Sequence, residues 1–273
     1  MEDNAFPSRT AEAAGDRGPA AHGARSGGGD KMPETRGGAM RAVILNGSGR
    51  YADPWHPHTE TSEALAELVA EAGFTVDVVD DIDAVVASLP DEIALIVVNA
   101  GDPHGPTPEG EAVAPPEGSV VAAANAALEA AIERGVGILA MHTAAASLRD
   151  YPAFEHALGA RWVRDRSWHP PIGEAAVHLV GNHAIAEGLE DFTVFDERYT
   201  DFRLDDVIEP ISEHEHEGVR HPLVWAREFG RSRLVYDALG HDPRSYESAG
   251  HRALLAASLE WLAHVPAPTA NER

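Results

Sequence analysis

The chain has 273 residues, of which 44% are hydrophobic, and a formal net charge of −24 at pH 7 with a pI near 4.9. Such an acidic surface repels phosphate backbones, which argues against nucleic acid as a partner. The sequence has no run of about 18 apolar residues, which argues against a membrane partner, and it has no cysteine. Disulfides, thiolate metal sites and cysteine nucleophiles are therefore excluded, and we expect a cytoplasmic protein.

The two ends of the chain differ from the rest in composition. Residues 1–39 are rich in Gly, Ala and Arg and contain hardly any large apolar side chain. Such a segment cannot bury enough surface to offset its ordering entropy, so we predict a disordered tail. Residues 266–273 ("PAPTANER") form a similar short tail. Between the two tails we predict one α/β domain over residues 40–265.

Strand and helix patterns alternate along the first half of this domain. Continuous apolar runs indicate buried strands, and apolar residues at helical spacing indicate the helices between them. Apolar strands joined by helices are typical of a parallel sheet covered on both faces, so we predict a mostly parallel central sheet. The predicted strands are 41–48, 74–81, 92–101 and 136–141, and the predicted helices are about 60–73 and 119–134.

The second half has a more mixed pattern. Shorter strands, some of them antiparallel, are predicted before a helix at about 246–264. The stretch "SEHEHEGVRH" (212–221) is interpreted as an exposed charged turn, because two histidines spaced by two bind a metal only if a third ligand converges on them. The predicted strands of this half are 174–180, 191–199, 221–228 and 232–241.

Polar residues collect at the ends of the predicted strands. In open α/β sheets, ligands bind beyond the carboxyl ends of the strands, so we expect these side chains to meet at one rim of the sheet. The groups that follow the strands are Asn46 to Arg50 with His56 and His58, Asn99 with Asp102 and His104, His142 with Thr143, Asp196 to Tyr199, and His241 with Asp242.

The stretch "GILAMHTAAAS" (137–147) gives the first candidate for chemistry. An apolar strand ends at His142, and the alanines that follow predict the start of a helix, whose dipole favours a neutral imidazole. The "DERY" stretch (196–199) places two carboxylates and a phenol at another strand end. The alternatives are a hydrogen-bonded structural histidine, and pairing of Asp196 or Glu197 with Arg198 or another basic residue.

The order of these motifs resembles the ThuA family of trehalose-utilisation proteins. The resemblance covers about residues 41–264, and the order and spacing of the motifs carry it. The matching stretches are "HPHTE", "GILAMHTAAAS", "SWHPP", "NHAIAEGLEDFTVFDERY", "HPLVWARE", "GRSRLVYDALGHD" and "LLAASLEWLA".

The resemblance implies a flavodoxin-like three-layer sandwich of the class I glutamine amidotransferase type. True amidotransferases place a nucleophilic cysteine where this sequence has His142, so a glutaminase thioester is excluded. The resemblance implies a role in disaccharide catabolism and action on oxidised (3-keto) sugars formed by partner dehydrogenases. His183 matches a further family element, but Ala184 stands where proline is usual, and we interpret that segment as structural. The matched residues are His58, His142, His169, Asp196, Glu197, Tyr199 and His241.

The leading hypothesis is an enzyme that modifies trehalose-type or 3-keto disaccharides by proton transfer. Removing the C–H proton beside a carbonyl needs a base, and the resulting enolate needs donors. His142 and Glu197 are the predicted acid/base groups, with His58 and His241 as donors or ligands and Asp196 orienting an imidazole. The predicted substrate-binding residues are Tyr199, His169, Arg50, Asn99 and Trp168.

Three alternatives remain open from the sequence. The histidine-rich rim could hold Zn²⁺ or Mn²⁺, which would polarise a carbonyl. A non-catalytic sugar-binding or sensing module on the same fold would bind sugar without converting it. The chain could also form a homo-oligomer through helix 246–264 and the loop 102–118.

Overall fold

The computed structural model describes residues 40–102 and 113–263. The predicted tails, His104 and the last residue of the predicted C-terminal helix lie outside the described residues. The first half contains β1 (Met40–Asn46), α1 (His58–Glu71), β2 (Phe74–Val79), α2 (Ile82–Ala87), β3 (Ile93–Asn99), α3 (Val120–Arg134) and β4 (Gly137–Met141). The second half contains α4 (Pro152–Leu158), β5 (Ala160–Arg161), β6 (Gly173–Leu179), β7 (Phe192–Asp196), β8 (Arg203–Leu204), β9 (Glu209–His216), β10 (Val219–Phe229), β11 (Ser232–Asp237) and α5 (Ala249–Ala263).

A single large sheet organises the described part of the chain. Its nine strands run in the order β2-β1-β3-β4-β11-β10-β9-β6-β7. The strands from β2 to β11 are parallel, and antiparallel pairing continues the sheet from β11 to β7. The order of the first four strands is that of flavodoxin-like sheets, in which the crevice between β1 and β3 is a binding position. The predicted α/β class and the parallel core of the sheet are confirmed.

Helices cover both faces of the parallel strands. The chain leaves β1 through α1 to reach β2 and returns across β1 through α2 to reach β3. Because such crossovers are right-handed, α1 and α2 lie on opposite faces. Helix α5 packs with α1, and helix α3 packs with α2 and α4, which gives the three layers of the sandwich.

The central strands form the core because their side chains are apolar on both faces. Every residue of β4 is buried, as are the last five residues of β1. Helix α3 begins where the Ser119 side chain accepts a hydrogen bond from the Ala122 N–H, and it ends at Gly135, whose φ is 99°. This core fixes the carboxyl ends of the parallel strands, where the polar groups emerge.

The interpretation of residues 212–221 as an exposed charged turn is wrong. Strands β9 and β10 form an antiparallel hairpin there, in which His214 pairs with His221. Side chains in a strand alternate between its faces, so His214 is buried while Glu215 is exposed. The turn itself is confined to Glu217 and Gly218, both with positive φ.

The helix expected directly after His142 is also different. Residues His142–Ala146 form a 3₁₀ helix, and the next α-helix, α4, begins only at Pro152. The short 3₁₀ turn has no long stack of peptide dipoles behind it, so the expected helix-dipole effect on His142 does not apply.

Candidate active site

Three histidines and one glutamate converge beyond the carboxyl ends of the parallel strands. His56 follows β1, His142 follows β4, His241 follows β11, and Glu197 follows β7. We call these four residues the His–Glu cluster. The Glu197 Oε2 atom lies 3.3 Å from His241 Nδ1, 3.4 Å from His142 Nε2 and 4.0 Å from His56 Nε2. The expectation that separate strand ends deliver polar groups to one rim is therefore met for these four residues.

The end of β7 reaches this rim although β7 is an edge strand of the sheet. The strand packs directly against the start of α5, where a Cβ on Gly250 would lie 2.3 Å from Cγ of Phe192. This close approach brings Asp196 and Glu197 to the turn that follows β11. The antiparallel extension of the sheet thus supplies the carboxylate of the cluster.

Asp196 holds that turn in place. Its carboxylate is fully buried and accepts hydrogen bonds from the backbone N–H groups of Glu197 (2.8 Å), Gly240 (2.8 Å) and His241 (3.2 Å). Gly240 has a φ of 109°, which side-chain-bearing residues rarely adopt. Asp196 was expected to orient an imidazole through its side chain. The structure shows that it instead orients two segments of backbone, and with them Glu197 and His241.

His142 lies at the end of β4 with a φ of 44°, a left-handed conformation that turns its side chain towards the cluster. Its Nδ1 lies 2.6 Å from the Ala238 carbonyl oxygen, so Nδ1 carries the proton and donates it there. The Tyr199 hydroxyl, 2.9 Å away, then donates to Nε2. The two rings stack with centroids 4.3 Å apart. His142 is consequently a fixed, buried imidazole of defined tautomer.

His56 is oriented by Asp53. The Asp53 carboxylate accepts the backbone N–H groups of Trp55 and His56, both at 2.9 Å, and the His56 Nδ1–H at 2.7 Å. Burial lowers the pKa of His56 to about 4, although the hydrogen bond to Asp53 opposes this shift. Burial would raise the pKa of Asp53, but its contacts with His56 and His58 hold it well below its usual range. His56 is therefore a neutral imidazole with Nε2 directed to the cluster.

Glu197 and His241 form a close pair whose pKa values are shifted in opposite directions. Burial would raise the pKa of Glu197, but its contacts with His142 and His241 lower it far below the usual range of a glutamate. Burial would lower the pKa of His241, but the neighbouring Glu197 carboxylate raises it. The site therefore combines an ionised carboxylate with an imidazole that holds a proton more readily than usual.

The cluster lies against a cavity of about 920 Å³. Neighbouring aromatic rings line part of this cavity: the Trp162 and Tyr199 centroids are 4.2 Å apart, and the Tyr199 and His169 centroids are 5.8 Å apart. The His169 Nε2 atom lies 3.6 Å from Glu197 Oε1. His142 is only 2% exposed and contacts the cavity-lining residues Glu197 and Tyr199 from behind. Asp102, Arg149 and Arg164 also line the cavity.

Residues 41–262 match the family model described as "Trehalose utilisation", ThuA. The chain belongs to the ThuA family. The expected resemblance is therefore confirmed over almost the whole described domain. No curated protein matches this sequence.

Solved structures of ThuA-like proteins share the fold. The protein from Parabacteroides merdae has a TM-score of 0.66 and 17% identity, over 86% of this chain and 94% of its own. The protein from Bacteroides uniformis has a TM-score of 0.63 and 18% identity, over 85% and 95% of the two chains. The beta-galactosidase from Rahnella sp. R3 has a TM-score of 0.54 and 16% identity, over 84% of this chain but 32% of that enzyme. At these identities the likeness shows a common fold.

Three of the predicted substrate-binding residues lie away from the cavity. Arg50 pairs with Asp83 at 3.1 Å and with Asp150 at 2.8 Å, and so ties the segment after β1 to the start of α2 and to the segment before α4. The buried Asn99 donates hydrogen bonds to the Thr61 and Ser62 hydroxyls, both at 2.9 Å, and so anchors the first turns of α1. The half-exposed Trp168 donates its indole N–H to Asp201 at 2.8 Å.

The other predicted residues lie at or beside the cluster. His142, Glu197 and His241 belong to it, and Tyr199 and His169 line the cavity. His58 is buried at the start of α1, with Nε2 3.5 Å from Asp53 Oδ2, so it lies behind His56. His183 accepts the backbone N–H of Ile185, in keeping with a structural segment.

Sequence reasoning placed His56 at the rim but gave it no role in the site, and it missed Asp53. The segment "YADPWHPH" follows the first strand, and the spacing Asp-x-x-His is the signal that could have identified them. An aspartate three residues before a histidine can accept the imidazole N–H across one turn, as Asp53 does here. Trp162, in the cavity wall, carried no comparable signal.

A serine, a histidine and an aspartate also align elsewhere in the fold. The Ser245 Oγ lies 2.9 Å from His251 Nδ1, and His251 Nε2 lies 3.1 Å from Asp237 Oδ2. All three are at most 1% exposed, so this alignment is sealed inside the protein and acts as a structural network. None of the helices in the described ranges has the length and hydrophobicity required to span a bilayer.

Proposed function

We propose that the protein is a cytoplasmic carbohydrate-active enzyme that converts trehalose-type or 3-keto disaccharides and glycosides by proton transfer. The reaction is of the isomerase, epimerase or lyase type, and glutaminase chemistry is excluded by the lack of cysteine. One observation carries the proposal. A carboxylate and an imidazole meet at 3.3 Å on the wall of a cavity that aromatic side chains also line.

The cavity suits a sugar in size and in surface. A volume of about 920 Å³ is within the range of small-molecule sites and holds a disaccharide. Trp162 and Tyr199 are among the lining residues and supply aromatic surface for the C–H faces of a pyranose ring. Membership of a family described by trehalose utilisation supports a sugar ligand.

The arrangement supplies the groups that proton abstraction beside a carbonyl requires. Glu197 lines the cavity and accepts the proton from the carbon next to the keto group. His241 and the Tyr199 hydroxyl donate hydrogen bonds to the oxygen that becomes negative. His142, whose unprotonated Nε2 lies 3.4 Å from Glu197 Oε2, is the second acid/base group and takes the proton on from Glu197. Return of the proton to the same or the neighbouring carbon gives epimerisation or isomerisation, and loss of a β-substituent gives elimination.

The test compares Glu197→Gln and His142→Ala with the wild type in turnover of 3-keto-trehalose, followed by NMR. We expect each variant to lose about 10²- to 10⁴-fold in turnover, the usual contribution of a positioned acid or base. Glu174→Gln at an exposed position of β6 and His178→Ala at a half-buried position of the same strand make the same chemical changes and serve as matched controls. Circular dichroism verifies that each variant folds.

Two results would overturn the proposal. Wild-type activity in both Glu197→Gln and His142→Ala would remove these residues from the reaction. Saturable sugar binding by calorimetry, with no product from any keto or non-keto disaccharide after long incubation, would identify a binding or sensing module instead.

A further inference from the structure

We propose that the His–Glu cluster is a binding site for a divalent transition-metal ion such as Zn²⁺ or Mn²⁺. The four ligand atoms are His56 Nε2, His142 Nε2, His241 Nδ1 and Glu197 Oε2, which lie within 4.8 Å of one another. Three imidazoles and one carboxylate are the donor types that such ions take in proteins. This inference rests on the geometry of the four atoms and does not depend on the proposed reaction.

Three of these atoms are buried without a hydrogen bond. His56 Nε2, His241 Nδ1 and Glu197 Oε2 have no hydrogen-bond partner among the described residues. Buried polar atoms are almost always paired, so three unpaired atoms directed at one point indicate a missing ligand. The fourth atom, His142 Nε2, accepts only the Tyr199 hydroxyl, which can turn to a bound water or substrate oxygen instead.

The separations match those of a four-coordinate ion. Bonds of 2.0–2.1 Å in tetrahedral geometry place neighbouring ligand atoms about 3.3 Å apart. Glu197 Oε2 is 3.4 Å from His142 Nε2 and 3.3 Å from His241 Nδ1. His56 Nε2 is 4.0 Å away and needs to approach by less than 1 Å. Two of the three carboxylate–imidazole separations are thus already those that the ion requires.

In two of the histidines, the ring nitrogen that faces away from the cluster is held as it is in metal sites. His56 donates Nδ1–H to the Asp53 carboxylate, and His142 donates Nδ1–H to the Ala238 carbonyl. Metal-binding histidines almost always donate their second N–H to a carboxylate or a carbonyl in this way, which leaves the lone pair of the other nitrogen for the ion. Both inward nitrogens therefore have the tautomer that a metal needs.

The neighbouring group of Asp53, His56 and His58 is a poorer site. The Asp53 oxygens already accept two backbone N–H groups and the His56 Nδ1–H. Asp53 is thus an outer partner of the ligand His56.

An ion in the cluster would lie beside the cavity, where it can polarise a substrate carbonyl. His169 is the cavity imidazole that remains outside the four ligands.

The experiment measures metal binding directly on the full chain. Protein stripped with EDTA is titrated with zinc chloride and, separately, manganese chloride by calorimetry, and bound metal is counted after dialysis. We expect one ion per chain, with zinc bound more tightly than manganese. Cobalt loading adds a spectroscopic readout, because a near-tetrahedral cobalt site absorbs visible light strongly.

Variants distinguish this site from the other histidines of the chain. His56→Ala, His241→Ala and Glu197→Gln should each weaken zinc binding at least 100-fold, and Asp53→Asn should weaken it about 10- to 100-fold. His169→Ala and His178→Ala remove imidazoles beside and far from the cluster and should bind zinc as the wild type does. Urea unfolding of the metal-free variants verifies that each one folds.

Three results would overturn the inference. They are the absence of a bound ion in the wild type, ligand variants that bind zinc as the wild type does, and loss of binding in His169→Ala alone. Zinc binding without turnover of any keto sugar would refute the proposed function and leave the metal site standing. Turnover by protein that binds no metal would do the reverse.

Discussion

Replacement of Asp196 by asparagine tests how the site is held together. The buried carboxylate accepts three backbone N–H groups, with Oδ1 bound to Glu197 and His241 and Oδ2 bound to Gly240. Asparagine has one acceptor oxygen, so at best it keeps two of these bonds and turns its own N–H₂ towards the N–H of Gly240. Asp196→Asn is therefore nearly the same size as the wild type but has one donor facing another.

The expected cost follows from these contacts. A hydrogen bond to a charged group contributes about 1.5–3 kcal/mol, and an unpaired buried N–H costs about 1–3 kcal/mol. Because removal of a buried charge offsets part of this loss, we expect the free energy of unfolding to fall by about 3 kcal/mol. For a domain of this size, that lowers the urea midpoint by about 1 M. Displacement of Glu197 and His241 should also lower turnover of 3-keto-trehalose about 100-fold.

The matched control is Asp242→Asn. Asp242 accepts the backbone N–H of Arg244 at the start of a 3₁₀ helix, a position where asparagine and aspartate are nearly equivalent. Its urea midpoint should therefore stay within about 0.3 M of the wild type. If Asp196→Asn unfolds at the wild-type midpoint and keeps full turnover, the three backbone contacts do not position the site and the reasoning fails.

Two further predictions concern buried histidines. His251→Leu leaves the buried Asp237 carboxylate without its partner and should cost about 3–5 kcal/mol in urea unfolding. The pKa of His251 is raised, because the charge of Asp237 outweighs burial. The difference in free energy of unfolding between the wild type and His251→Leu should thus be largest below about pH 6.5 and shrink as the pH rises through the folded-state pKa of His251. A difference that grows with pH would contradict this. Burial lowers the pKa of His214 to about 4. Because the unfolded chain takes up this proton at a higher pH than the folded protein, the free energy of unfolding of the wild type should fall by up to about 3 kcal/mol between pH 6.5 and 4. In His214→Gln the loss of unfolding free energy over this pH range should be smaller. If the unfolding free energies of the wild type and the variant fall in parallel with pH, His214 is not the cause of the loss.

The parallel half of the fold could be predicted because its signals are local and strong. Strands β1, β3 and β4 are continuous apolar runs, and helix α3 lies between a serine that caps its start and the glycine that ends it. Burial on both faces demands apolar side chains throughout, so pattern and structure agree to within one or two residues at most boundaries.

Strand β9 was missed because its buried face is polar. Ser212 and His214 are fully buried there, next to Ile211. A prediction based on hydrophobic alternation has no means to recognise a strand whose inward side chains are hydroxyl and imidazole groups. The pairing with β10, which the sequence pattern does not encode locally, places these groups inside.

The candidate site was predictable only in part, for a similar reason. Position at a strand end is a local property, and it led to His142, Glu197 and His241. The direction of a loop side chain depends on its hydrogen bonds, which turned Arg50 towards Asp83 and Asp150. His56 reaches the cluster only because Asp53 holds its ring. Such contacts arise from the folded loop and leave little trace in spacing.

The cluster draws its four residues from positions between 56 and 241, which span most of the described chain. These residues meet only when the parallel strands and the antiparallel extension are both folded. A ligand held there acts as a cross-link between distant segments and binds the native state alone. At 100 times its dissociation constant it would add about 2.7 kcal/mol to the stability of the protein. A rise in melting temperature can therefore reveal which metals and sugars bind this protein before any reaction product is known.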